Sequence, residues 1–303
     1  MRTLISFILV LLLSPSVFSQ DDVMAILDEQ IEETAAYPVG IFKATRIINS
    51  HSAKLPAKGE LEIVIAHRFG QVDMGWRNFF GIDQAHMRIG VEYGIMDRWS
   101  IGYGRSNLQG TYDFYTRAIL LRQTMGAKSF PFSLVWKSGL TIYSQKSNPG
   151  ETIDFVHRMG YVHQLLIARK FHEYFSFQMM PTFVHRNLVD YRGERNSIWA
   201  LGFGASIKAS RSIRINLEYF QPLPGEQTFT TDGGVEITKY RGTYSVGIDI
   251  ETGGHVFQIM LATNSTGLIE QHFIGQADGY WWDGAVHLGF NINRSISFGK
   301  ENK

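Results

Sequence analysis

Residues 83–106 read DQAHMRIGVEYGIMDRWSIGYGRS, and taking every second letter separates them into two faces. Ala85, Met87, Ile89, Val91, Tyr93 and Ile95 lie on one side, and His86, Arg88, Gly90, Glu92 and Gly94 on the other. After a tight turn at Met96-Asp97-Arg98 the alternation resumes, with Trp99, Ile101 and Tyr103 against Ser100, Gly102 and Gly104. A period of two predicts β-strands whose faces meet different surroundings. One face is apolar and ends in aromatics, while the other mixes opposite charges with glycine. That suits a transmembrane β-hairpin between lipid and a polar lumen, and it also suits a half-buried hairpin of a soluble β-sandwich.

The rest of the chain favours the membrane. From residue 60 onward, strand patterns recur at 60–69, 83–95, 98–107, 111–124, 131–144, 154–169, 173–186, 197–208, 211–221, 239–251, 254–264 and 284–298. They predict an all-β fold, an antiparallel transmembrane β-barrel of about twelve strands. Connections alternate between short and long, with Leu108–Gly110 the exception, as in a barrel with short periplasmic turns and longer extracellular loops. The facing also repeats from strand to strand. Trp199, Leu201 and Phe203, then Ile213, Ile215 and Leu217, point outward; Gly202, Gly204 and Ser206, then Arg214, Asn216 and Glu218, point inward. The water-facing side of a soluble sandwich would be richer in lysine.

Arg2, the apolar run Leu4–Leu13 and the small residues Val17 and Ser19 form a secretory signal, 1–19, cleaved near Ser19/Gln20. An N-terminal arm, 20–58, stays periplasmic or packs in the lumen, and the barrel occupies 59–303. Within the arm, Asp21–Tyr37 is acidic with helical spacing, and the run 41–52 (IFKATRIINSHS) has strand character without clean alternation. Counting that run as a barrel strand would make the number odd. The sequence holds no cysteine, so neither a disulfide framework nor a thiolate metal site is expected. A net charge of +1 argues against nucleic acid as a partner. Thirty glycines and 13% aromatics, at a mean hydropathy of -0.09, describe a β-rich chain whose apolar residues are dispersed by alternation. No cofactor is implied.

The strings FKATRIINSHS…LPAKGELEIVIAHRFG, FFGIDQAHMRIGVEYGIMDRWSIGYGRS and YVHQLLIARKF…MPTFVHRN resemble a domain-of-unknown-function family. It comprises outer-membrane β-barrels from the Bacteroidetes and their relatives. The resemblance runs from Phe42 nearly to the C-terminus. It implies a barrel fold and an outer-membrane location, and carries no activity onto particular residues.

By parity the lumen-facing cations are Arg68, Arg88, Arg117, Lys137, Arg158, Arg186, Lys208 and Arg214, and the anions are Glu60, Glu62, Glu92, Asp113, Glu218, Asp249 and Glu251. Such charges either set the ion preference of a narrow pore or pair off and close it. His157 and His185 fall opposite each other if their strands pair about a turn near residue 171, where they could share a metal ion or form a polar aromatic pair at the membrane surface. Ser138, with His157 or His163 on the next strand, is a candidate for outer-face lipid hydrolysis, although neither GxSxG nor HExxH occurs. Tyr280, Trp281 and Trp282 in the last long loop suit a sugar or partner contact, or an aromatic girdle and a loop folded over the mouth. The functional expectations are a narrow channel for small solutes, a closed barrel that docks partners such as a periplasmic protein, or a hydrolase. Outer-membrane lipid is a partner in each.

Overall fold

A computed structural model describes residues 41–125, 129–145, 152–189, 193–230 and 234–298. The signal segment, the acidic lead and the last residues of the chain lie outside the described residues. Twelve antiparallel strands close into a barrel. They are β1 (Glu60–Gln71), β2 (Ala85–Met96), β3 (Trp99–Ser106), β4 (Thr111–Leu121), β5 (Ser133–Tyr143), β6 (Met159–His172), β7 (Phe175–Arg186), β8 (Ser197–Lys208) and β9 (Ile213–Leu223), then β12 (Thr243–Thr252), β13 (His255–Ala262) and β14 (His287–Ser297). A small hairpin, β10 (Gln227–Thr230) with β11 (Glu236–Lys239), stands in the loop after β9. Closure comes from β1 against β14, in a ladder from Glu60↔Ser297 to Gln71↔His287. With the edges joined, every barrel strand has two neighbours, and the backbone polar groups of the wall are satisfied without water.

The two-residue period becomes two walls. Ile89, Tyr93, Ile101, Tyr103, Trp136, Trp199, Leu217 and Ile259 are exposed on the outside. Arg88, Gly90, Glu92 and Gly94 of β2 are buried on the inside, as are Arg214, Asn216 and Glu218 of β9. A continuous apolar exterior of this extent is a membrane surface. Among the described residues no helix is long and apolar enough to cross a membrane; the strands are the crossing elements.

The expected strand starting at 154 begins instead at Met159, because Phe155–Arg158 forms a 3-10 turn. The β10–β11 hairpin is an element that alternation did not predict.

Two segments enter the barrel. Residues 41–58 form a finger from the short-turn end. Arg46 and His51 bridge antiparallel, Ile47 N–H donates to Ser50 O at 2.9 Å, and Ser52 N–H donates to Thr45 O at 2.8 Å. Lys43 pairs with Glu251 at the short-turn rim, and Gly59 N–H donates to Gly94 O beside the β2–β3 turn, so the finger enters and leaves at that end. From the opposite end the loop between β13 and β14 descends, carrying a one-turn helix, α1 (Glu270–Phe273), whose four residues are all buried.

Candidate functional site

The lumen wall around the finger is polar, and it grips the finger's backbone as well as its side chains. Glu218 of β9 accepts from Asn49 N–H at 3.2 Å, Ser50 N–H at 2.9 Å and Ser50 Oγ at 2.5 Å. Gln258 of β13 donates to Arg46 O and Ile47 O at 3.2 and 3.1 Å, and Asn291 of β14 donates to Ile48 O at 2.9 Å. Arg68 of β1 donates to Asn49 Oδ1 at 3.1 Å, Arg117 of β4 to Ser52 O at 2.7 Å, and Gln178 of β7 to His51 O at 2.8 Å. Asn49 Nδ2 donates to Ser245 Oγ of β12 at 2.9 Å, and Thr45 donates to Glu62 of β1 at 2.9 Å. The tight bend at 47–50 leaves amides and carbonyls with no strand partner. The wall supplies what a sheet otherwise would.

Charged side chains of the wall pair over glycine-containing strands. Arg88 on β2 reaches Asp113 on β4 through two bonds of 2.8 and 2.6 Å, and Arg117 holds Glu92 at 2.9 and 2.6 Å. Both pairs span β3, whose Gly102 and Gly104 leave room above the sheet. A Cβ on Gly104 would lie 2.3 Å from Arg88 Nη2, and one on Gly102 would lie 2.1 Å from the Tyr115 ring.

Finger and loop meet at mid-lumen. His51 Nδ1 lies 3.0 Å from Glu270 Oε1, and Lys137 of β5 pairs with the same carboxylate. The His51 ring also packs edge-on against Tyr115 at 4.6 Å. Gly267 of the loop lies against Asn49, whose Oδ1 would stand 2.5 Å from an added Cβ. Burial is the largest cause holding His51 well below its ordinary value, with Arg46 and Lys137 adding to it and Glu270 opposing. Burial alone would raise Glu270, but Lys137, His51 and Arg46 hold its carboxyl well below the usual range. Burial likewise pushes His272, on the same loop, down to about 3. The meeting point is therefore a neutral imidazole beside an ionised carboxylate and an ammonium group.

Of the residues chosen from the sequence, Arg68, Arg88, Glu92, Asp113, Arg117, Lys137, Arg214, Glu218 and Asp249 are buried on the lumen side. Arg214 stands opposite Asp249 in register, and Asp249 accepts from Gln258 at 2.8 Å. Three others are corrected to the rims. Arg158 lies in the 3-10 turn before β6 and donates to Tyr143 O and Gln145 O at 3.3 and 2.5 Å, because the strand starts after it. Lys208, the last residue of β8, lies over the Tyr174 ring at 5.3 Å, and Glu251 is exposed beside Lys43. Arg186 at the long-loop end pairs with Glu194, which also holds Lys239.

The pairing of His157 with His185 is also corrected. Tyr161 stands opposite His185, since the β6–β7 turn lies further along the chain than supposed, at 173–174. His185 instead shares a 2.8 Å hydrogen bond with Ser197, and His157 lies exposed near Asp154. Among the described residues no group of three or more His, Asp or Glu could hold a metal ion. Ser138 Oγ and His163 Nδ1 lie 3.0 Å apart on the outer wall, as directly opposed residues of β5 and β6. Tyr280 and Trp282 stack at 4.6 Å, and Trp281 and Trp282 border a concavity of the outer wall.

Sequence reasoning missed Glu270 and the tip residues Asn49, Ser50 and His51. The polar string NSHS at 49–52, on a run too irregular for a strand, is the one signal that marks the tip.

The chain belongs to the family described as membrane bound beta barrel domain (DUF5777), which matches residues 42–296. It is an outer-membrane β-barrel. No curated protein matches it in sequence. In structure it is similar to the NanC porin, with 6% identity and a TM-score of 0.47, over 78% of this chain and 98% of that one. It is also similar to an outer-membrane channel from Pseudomonas putida F1, with 10% identity and a TM-score of 0.47, over 80% and 97%. The outer-membrane protein Omp33 of Acinetobacter baumannii shows 6% identity and a TM-score of 0.39, over 80% and 99%.

Proposed function

With membership of a membrane-bound barrel family as the premise, we propose that this protein is a small-solute conduit closed at rest by its own N-terminal finger. The observation that supports this is the polarity of the wall behind the finger. Glu62, Arg68, Arg117, Gln178, Glu218, Gln258 and Asn291 are all buried against it. Part of that polarity satisfies the finger's own backbone, but the Arg88–Asp113 and Arg117–Glu92 pairs go beyond what a permanent plug requires, because replacing buried ion pairs by packed apolar residues is often neutral or stabilising. A wall that must be wet whenever the finger leaves has to be polar. Withdrawal toward the short-turn end opens a charged passage, which would be narrow in a barrel of this size.

The second reading, a permanently closed docking barrel, draws on the bonds from the wall to the finger's backbone and on the burial of Ile47 and Ile48 in the apolar cluster with Met180, Met260 and Phe220. Liposome swelling separates the two. Glu218→Ala with Gln258→Ala removes the grips on both arms of the finger's bend, at Asn49–Ser50 and at Arg46–Ile47, and should raise the entry rate of small sugars and amino acids at least several-fold. Unchanged impermeability in a folded variant would favour the docking barrel.

The hydrolase reading is weakened by depth. Ser138 is the sixth of eleven residues of β5. At ~3.4 Å per residue and a tilt near ~45°, it lies ~12 Å inside either end of the strand, near the bilayer centre and far from any lipid ester. A hydroxyl and an imidazole placed in hydrocarbon satisfy each other there.

A further inference from the structure

The loop aromatics border a concavity that plays no part in the lumen. On the outer wall, Phe203, Leu217, Tyr219 and Tyr244 from β8, β9 and β12 form the floor of a groove of about 630 Å³, and Trp281 and Trp282 overhang it. The volume is within the range of ~300–1,000 Å³ usual for small-ligand sites. The Tyr219 and Tyr244 rings pack at 4.5 Å, tilted by 31°, near the long-loop ends of their strands, which places the upper groove at the outer membrane surface. Trp282 is 74% exposed and lies parallel to Tyr280 at 10°. Beyond Tyr280, the Arg241 guanidinium stands 5.5 Å over the ring; its Nε has no hydrogen-bond partner and lies 3.9 Å from Glu226. Glu226 also accepts the Tyr280 hydroxyl.

Three chemistries thus follow one another up the wall. The apolar groove is continuous with the lipid-facing belt, so the occupant that reaches it is an acyl chain. The face of Trp282, held by its stack on Tyr280, offers a flat surface to the C–H face of a sugar ring. Arg241 offers a cation one ring further out, where a phosphate would sit. We propose that this is a binding site for a phosphorylated, acylated glycolipid of the outer leaflet. One chain lies in the groove, its sugar on Trp282 and its phosphate at Arg241. The site is independent of whether the lumen opens.

The test is native mass spectrometry of the full folded chain in detergent, titrated with lipid A and, separately, with phosphatidylglycerol. The wild type should retain one lipid A at least ten-fold more tightly than Trp281→Ala with Trp282→Ala, and more tightly than phosphatidylglycerol. Arg241→Gln should weaken lipid A by several-fold. Leu217→Trp, which fills the groove while keeping the wall apolar, should exclude the lipid even if the double alanine variant fails to fold. Equal retention by wild type and Leu217→Trp, equal binding of the two lipids, or a protein dimer in place of the lipid-bound monomer would overturn the proposal.

Discussion

Arg88 meets Asp113 only because β3 between them carries Gly104, where a Cβ would lie 2.3 Å from Arg88 Nη2. Gly104→Val should therefore destabilise the barrel by about 1–3 kcal/mol, the cost of overpacking. The shift of the urea midpoint in lipid vesicles measures it. The Arg117–Glu92 pair is 0% and 1% exposed, so breaking it leaves an uncompensated charge. Arg117→Met alone should cost ~3–5 kcal/mol, and Arg117→Met with Glu92→Leu should recover most of that loss. Equal losses in the single and double variants would show that the pair is not the source of the cost. At this scale the sequence was half legible. Parity identified which charges face inward, because side chains alternate strictly along a strand. It could not say which charges meet, because Arg88 and Asp113 belong to strands that are not adjacent. It also misplaced Arg158 and Lys208, where strand ends lie near a rim and parity stops deciding the surroundings.

The finger and the descending loop are the elements whose behaviour depends on pH. In the lumen His51 is neutral, because its affinity for protons is well below the ordinary 6.5; released into water it regains that value. Withdrawal therefore takes up a proton below about pH 6.5, and acid favours the withdrawn state progressively as pH falls from there. Glu270 acts in the same direction only at lower pH. Its docked carboxyl lies below its ordinary 4.5, so the stability it lends is complete above that value and is lost as pH falls through the docked one. Conductance should rise from pH 7 to pH 5 in the wild type and rise less over that range in His51→Gln. A flat wild-type profile would remove His51 from the latch. The finger was legible as something other than a strand, because 41–52 lacks alternation and would have made the strand number odd. Its partners were not, since Asn49 meets Glu218 at a separation of 169 residues and His51 meets Glu270 at 219. The loop's descent gave no periodic signal, because a four-residue helix is too short to show one.

For the whole molecule, the exterior was the most legible feature. Two solvents, lipid and lumen, impose one pattern on all twelve strands, and each repetition strengthens the reading. Leu217, in the middle of β9 on the lipid side, tests it directly. Leu217→Arg should cost about 2–4 kcal/mol, as charges on the lipid face near the midplane do, while Ser212→Arg, exposed in the short turn, should cost close to nothing. Similar small effects at both positions would contradict the assignment of the two walls. Whether the barrel conducts was not legible from strand pattern, because the pattern describes the wall and not the finger and loop that fill the lumen.

The central claim is that finger movement opens the lumen, and the absence of native cysteine makes it directly testable. Asn49→Cys with Ser245→Cys places one thiol on the finger tip and one on β12, at positions whose side chains touch in the closed barrel at 2.9 Å. The full chain, bridged by a short, reducible bis-thiol crosslinker, is inserted in a planar bilayer, and current is recorded before and after reductant. The predicted result is silence while bridged and discrete, salt-dependent steps once reduced. Current with the bridge intact, or silence in both states, would contradict the account.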